Sequence, residues 1–367
     1  MGKLSNRIPS LDGLRTISII LVIVGHLFHV LGYGYLGNLG NLGVRVFFVI
    51  SGFLITGLLL KELEKTSTIG LGKFYFRRTL RIFPPYYFYL VIILIATVVG
   101  VIQVSPYSIF IASTYLTNYI NPGDWYLGHA WSLSVEEQFY LLFPGILVFL
   151  GIRKTKIFLC FVIILSPFIR VFDFVYFGES YVWVGKGFHE NMDALAIGCL
   201  LSLFYSRLHE NALYCKLIKS KIVVIFVFLI VVSNLQTDHQ KLFLGASISV
   251  MNILIAICID WAVTNYDSFA GKILNSTPMI TIGAMSYSIY LWQQPFFNPD
   301  HRHTLTQTPY NFIALAIMTI ISYYFVEKYS LRFRQDIEQK LFPADKSVSI
   351  ENPPNETWKK ANLLPSE

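Results

Sequence analysis

The stretch HAWSLSVEEQFYLLFP, residues 129–144, decides how this chain folds. It starts at the mouth of an expected membrane helix, 131–150, and carries Glu136 and Glu137 into the first turns of that helix. A carboxylate inside a membrane helix is costly, so it faces the bundle interior and finds a partner or a chemical role there. Three further segments pose the same question: LDGLRTISIILVIVGH at 11–26, GVRVFFVISGFLIT at 43–56 and RRTLRIFPPYY at 77–87.

The composition agrees. Of 367 residues, 54% are hydrophobic and 14% charged, against about a quarter charged in a soluble domain. The expectation is an all-α, polytopic transmembrane bundle of about ten helices, at 12–31, 43–60, 84–102, 131–150, 157–173, 191–206, 221–235, 242–263, 278–297 and 309–327. Residues 1–340 read as one membrane domain and 341–367 as a short, polar, disordered cytoplasmic tail. Asp12 and Arg15 precede the first apolar run without a cleavage site behind it, so that run reads as a retained helix. The four cysteines, Cys160, Cys199, Cys215 and Cys258, show no metal-ligand spacing and read as small buried apolar residues; no metal is expected.

Lys and Arg set the orientation. With the N-terminus inside, 24 of the 29 fall in inner segments, three (Lys186, Lys241, Arg302) in outer loops, and Arg45 and Arg170 within spans. Both termini are therefore expected in the cytoplasm. The net charge of +7 follows from that bias and gives no reason to expect nucleic acid. Loop 103–130 has no Lys or Arg and suits an interfacial or glycan-facing surface.

Polar groups within the spans are the functional candidates. Arg15 and His26 are eleven residues apart, close to three turns, so they share a face about 16 Å apart along the axis. Read bottom-up, His26 is either a satisfied packing histidine or a working one. Arg45 begins the second span and Glu136 the fourth, and both spans enter from outside. His26, Arg45 and Glu136 are thus expected at one depth, as a catalytic group or a buried ion pair, with Glu137 as the alternative carboxylate. Arg77, Arg78 and Arg81 precede Pro84-Pro85 in an inner loop; they suit phosphate, anionic lipid or topology alone. Ser51-Gly52 permits close approach of a neighbouring helix, and Glu327 beside Lys328 reads as an interfacial ion pair.

Taken in order, LDGLR with a following histidine, FFVISGFLIT, R-x-x-R, WSLSVEEQFY, MDALAIGCLL and SYSIYLW with a later VE resemble the blocks of the acyltransferase-3 family of membrane O-acyltransferases, from Leu11 to about Glu327. The resemblance implies an enzyme that moves an acyl group, above all acetyl, from cytoplasmic acyl-CoA (acetyl-CoA) to a hydroxyl of a cell-envelope or exported glycan, such as lipopolysaccharide O-antigen, exopolysaccharide or a lipid-linked saccharide. It implies a bacterial cytoplasmic (inner) membrane and no permanently bound cofactor. It raises the functional reading of Arg15, His26, Arg78, Arg81 and Glu136; with the depth and charge arguments above, catalysis is expected of His26, Glu136 and Arg45 and donor binding of Arg15, Arg77, Arg78 and Arg81. Two departures stand out. Gln293 replaces the histidine of the family's YLWH-x-P, and no catalytic role is expected of it; Asn191 replaces a basic residue before MDAL. Some members of the family carry a fused esterase-like domain; none is expected in these 367 residues, and the chemistry is expected in the membrane domain. The rival reading is a transporter that uses the same buried charges as a relay; no inverted repeat supports it.

Overall fold

The computed structural model describes residues 8–121, 123–177, 185–235, 241–299 and 303–341. Among them every regular element is helical: α1 Pro9–Val30, α2 Gly34–Gly37, α3 Leu39–Thr66, α4 Leu71–Val98, α5 Pro106–Ser113, α6 Trp125–Gly128, α7 Ala130–Phe177, α8 Phe188–Glu210, α9 Ala212–Lys219, α10 Ile222–Leu235, α11 Lys241–Thr264, α12 Phe269–Leu274, α13 Thr277–Phe296, a 3₁₀ turn Thr304–Thr306, α14 Tyr310–Ile321, a π-helical turn Ser322–Glu327 and α15 Lys328–Leu341. Lys3, Arg7, Arg302 and the predicted tail from residue 342 lie outside the described residues.

Six helical stretches are long and apolar enough to cross a membrane: Pro9–Val30, Gly34–Thr66, Leu71–Val98, Trp125–Phe177, Gly245–Thr264 and Tyr310–Glu338. The fourth holds two of the expected spans. Gly151 breaks its helix with φ 69° and ψ 167°, a left-handed conformation open to glycine at little cost, and the chain turns there. The remaining expected spans fall on α8, α10 and α13, which are shorter or carry Asn, Asp and Gln in their apolar runs. Large apolar side chains such as Phe149, Phe161, Ile164, Phe168 and Phe228 point outward, as a lipid-facing surface requires.

Small residues set the helix spacing. A Cβ on Gly52 of α3 would lie 2.1 Å from the Leu195 carbonyl oxygen of α8, and one on Gly198 of α8 2.1 Å from that of Val49. The two backbones therefore touch, as the Ser51-Gly52 pair led us to expect. On the other side, α13 closes on α1 where Gly283 meets the backbone of Asp12.

The region of Arg77–Arg81 differs from the expected loop. Helix α4 starts at Leu71 and runs straight through Pro84 and Pro85. Pro84 cannot donate to the Leu80 carbonyl, which costs a helix interior about 3 kcal/mol. Here the Ser330 hydroxyl of α15 donates to that oxygen at 2.5 Å, and the Tyr287 hydroxyl of α13 donates to the Ile82 carbonyl at 3.1 Å. The Ser330 hydroxyl thus takes over the bond that Pro84 forfeits. The Ile82 carbonyl, four residues before Tyr86, is not one that a proline leaves unpaired, and its bond to Tyr287 ties α4 to α13. The arginines are held on a helix.

Candidate active site

One cavity in the bundle brings together six charged side chains, five of them partly or fully buried. Arg15 of α1, Ser51 of α3, Arg78 and Arg81 of α4, Ser132, Glu136, Glu137 and Tyr140 of α7, Ser286, Tyr287 and Tyr290 of α13, and Glu327 of the π-helical turn line it. The empty space between them is about 810 Å³, part of it open to solvent. Arg81 is itself exposed, so the cavity opens at the arginine end of the bundle.

Helical periodicity explains who faces inward. Ser132, Glu136 and Tyr140 are spaced by four on α7; Val44, Phe47, Phe48 and Ser51 form the corresponding stripe on α3. Within the cavity the Ser51 hydroxyl donates to Glu136 Oε1 at 2.6 Å and accepts from the Tyr140 hydroxyl at 2.9 Å. The Arg78 guanidinium lies 3.5 Å from the centre of the Tyr140 ring. Ser288 donates to Glu327 Oε2 at 2.9 Å, and Glu327 faces the charges of Arg81 and Arg15. Three arginines and three glutamates therefore share one chamber, with a serine–tyrosine pair orienting Glu136.

His26 lies beyond the far end of this chamber. Its Nδ1 is 2.5 Å from Gln293 Oε1, and its ring meets the Trp125 ring edge-on at 5.9 Å. Trp125 stacks on His29 at 5.7 Å. The α13 stripe that lines the cavity, Gly283, Ser286, Tyr287 and Tyr290, continues one turn further to Gln293. Tyr290 stands between the two levels: its buried hydroxyl bonds Ser132 Oγ at 2.5 Å and donates to the His129 carbonyl at 3.1 Å.

The structure corrects the expected trio. Glu136 meets Ser51 and not His26, because α7 starts deep in the bundle. Ser51 lies twelve residues into α3 and Glu136 six into α7, about 18 and about 9 Å along their axes, so the start of α7 is sunk roughly 9 Å. Leu127, His129 and Ala130, which precede or open α7, are all buried. Arg45 leaves the group for a different reason. It is 100° around α3 from Val44 and shares the stripe of Val49 and Gly52, the one packed on α8. There it faces the charges of Asp193, Arg170 and Glu190. Arg170 completes that network, donating to Asp193 Oδ2 at 3.0 Å, Ser249 Oγ at 2.6 Å and the Glu190 carbonyl at 2.7 Å.

Among the expected donor-binding residues, Arg15, Arg78 and Arg81 reach the cavity. Arg77 does not: it is a quarter turn away on α4, bonded to Glu338 of α15, with Lys73 3.8 Å from the same oxygen. Glu327 is the opposite case. The sequence suggested an ion pair with Lys328 at the interface, whereas the π-helical turn rotates Glu327 inward until 4% of its surface remains exposed. Sequence reasoning also passed over Ser51 as a hydrogen-bond donor, Tyr140, Tyr290 and His129. His129 is 3% exposed and is enclosed by the rings of Tyr89 and Tyr290. Its place at the head of the quoted stretch was the available signal. The cysteines are unpaired, and Cys160 is exposed where a buried residue was expected.

One group could offer a metal its ligands: Asp173, His189 and Glu190 adjoin, with His189 Nε2 2.9 Å from Asp173 Oδ2. Glu190 is already engaged there, accepting from the Gly185 and Gly187 amides at 2.7 and 2.9 Å to cap α8.

With its polar chemistry enclosed in an apolar helical bundle, this chain is an integral membrane protein. Residues 8–327 match the family model described as an acyltransferase domain, and the chain belongs to that acyltransferase-3 family. It is similar to O-acetyltransferase OatA of Staphylococcus aureus strain NCTC 8325 / PS 47, with 32% identity over 351 residues covering 87% of this chain and 56% of the relative. Two putative O-acetyltransferases, of Staphylococcus aureus strains COL and MSSA476, are 31% identical over the same shares of both chains. The chain thus spans about half the length of the curated relatives it matches. No solved structure matches it.

Proposed function

We propose that this protein is a membrane O-acetyltransferase that takes an acetyl group from cytoplasmic acetyl-CoA and delivers it to a hydroxyl of a cell-envelope or exported glycan. The observation that carries the proposal is the two-level arrangement: an arginine-lined chamber open at one end, and a histidine with an unengaged ring nitrogen just past its other end. Ten membrane crossings with both termini in the cytoplasm fit the Lys and Arg distribution and put the arginine end inside. Arg78, Arg81 and Arg15 then meet the donor phosphates, which planar guanidinium groups bind bidentately. The thin pantetheine arm runs up the chamber towards Tyr290 and His26.

At the histidine end the acceptor hydroxyl gives its proton to His26 as its oxygen bonds to the acyl carbon. The carbon–sulfur bond breaks, and the departing CoA thiolate takes that proton from His26, leaving an acetyl ester and free CoA. Glu136, fixed by Ser51 and Tyr140, neutralises the arginines after the donor leaves. Arg45 has no part in this reaction and belongs to the α3–α8 network. The apolar side chains and Tyr290 keep bulk water from the thioester.

The test is CoA release from acetyl-CoA by the full chain in detergent, with water as acceptor, together with alkali-labile acetate on the glycans of cells carrying the gene. Turnover that vanishes in His26→Ala while the variant remains monodisperse supports the proposal. Turnover unchanged in His26→Ala removes His26 from the chemistry. Absence of any turnover alongside movement of a glycan across the membrane would favour the transporter reading.

A further inference from the structure

The two glutamines of YLWQQP, Gln293 and Gln294, occupy adjacent positions at the end of α13, and both are buried. Gln293 Oε1 is 2.5 Å from His26 Nδ1. Gln294 holds Trp125 from two directions: its carbonyl accepts from Trp125 Nε1 at 2.8 Å, and its side-chain amide donates to the Trp125 carbonyl. Trp125 in turn presses edge-on against the His26 ring. One turn of α13 therefore grips His26 on one side directly and on another through an aromatic wedge.

We infer that Gln293 is the positioning residue of the transfer site, holding the His26 proton on Nδ1 so that Nε2 faces the acceptor hydroxyl as a bare base. A neutral imidazole carries one ring proton, and the hydrogen bond made by one nitrogen decides the state of the other. A carbonyl oxygen at Nδ1 can only accept, so the proton resides at Nδ1 and the lone pair at Nε2. His26 Nε2 makes no hydrogen bond among the described residues, and the residue keeps part of its surface exposed. The reverse amide orientation would place the proton on Nε2 and leave no base to face the acceptor. Rigidity is built in, because α13 lies in backbone contact with α1 at Gly283 and is tied to it again where the Thr16 hydroxyl donates to the Met279 carbonyl at 2.5 Å. The inference rests on His26 being the base. It also accounts for the departure from the family's YLWH-x-P, since this chain supplies an amide oxygen where the motif has an imidazole.

Two variants and one control decide it, all in the full chain with acetyl-CoA as donor and water as acceptor. Gln293→Glu keeps an acceptor at Nδ1 and should retain kcat within about tenfold of the parent. Gln293→Met keeps the volume but no acceptor and should lose about 100-fold or more in kcat with KM for acetyl-CoA unchanged. A methionine variant with parental kcat, or a glutamate variant as slow as the methionine one, overturns the assignment. Should the methionine variant fail to purify, the glutamate variant decides alone, retention supporting the inference and loss overturning it. His26→Ala is run beside them. If that control turns over at the parental rate, the base reading itself fails. If it is inactive while Gln293→Met keeps parental kcat, the base stands and only the positioning role falls.

Discussion

Ser51 donates to Glu136 at 2.6 Å across the α3–α7 interface, and the same hydroxyl accepts from Tyr140. This small relay fixes a carboxylate opposite Arg78, whose guanidinium lies over the Tyr140 ring. A hydrogen bond to a charged group contributes about 1.5–3 kcal/mol, so Ser51→Ala should slow acetyl transfer by about 10- to 150-fold. CoA release by the purified variant checks this. Parental turnover in Ser51→Ala would show that the orientation of Glu136 is immaterial.

Arg77 and Arg78 are neighbours in sequence with different environments, and they should behave differently. Arg78→Lys keeps the charge but loses the planar stack on Tyr140, worth about 0.5–2 kcal/mol, so KM for acetyl-CoA should rise by about 2- to 30-fold. Arg77→Ala removes only the half-exposed pair with Glu338 and should leave that KM within about twofold, since exposed ion pairs contribute about 0–1 kcal/mol. Titration of both variants with acetyl-CoA makes the comparison. Equal KM increases would mean that the donor contacts both arginines.

The sequence made the helical bundle legible because apolar length and charge bias are properties of the chain itself. Each expected span lies on a helix. The position of Arg45 was misjudged: it was expected beside His26 and Glu136, and that the face it shares with Val49 and Gly52 packs on α8 is fixed by tertiary contact. The depth of Glu136 was hidden, because it depends on how far α7 is sunk, which only tertiary packing fixes. Glu327 was hidden by the π-helical turn: 3.6-residue periodicity cannot place a side chain after one extra residue enters the helix. Gln293 was set aside as a departure from a motif, although a glutamine can meet a histidine as well as a second histidine can.

The bond between Ser330 and the Leu80 carbonyl predicts a compensating pair. Ser330→Ala leaves that carbonyl unpaired beside Pro84 and should cost about 1–3 kcal/mol. Adding Pro84→Ala restores the backbone N–H that Leu80 lacks, so the double variant should regain stability relative to Ser330→Ala. Thermal unfolding in detergent measures both. If the double variant is no more stable than Ser330→Ala, the serine is not replacing the helix bond that proline removes.

Tyr290 divides the arginine chamber from His26, and labelling from the two sides of the membrane should reveal the division. With the four native cysteines replaced by Ala, Ser132→Cys should react with a membrane-impermeant thiol reagent applied to inside-out vesicles, because Ser132 lines the chamber open at the arginine end. His26→Cys should react in right-side-out vesicles instead, since His26 lies past Tyr290 and stays partly exposed. Tyr290→Ala removes both the ring and the hydroxyl that joins Ser132 to the His129 carbonyl, so each cysteine should then react from either side. Reaction of both cysteines from the same side with Tyr290 intact would mean that the chamber and the histidine share one opening, and that Tyr290 separates nothing.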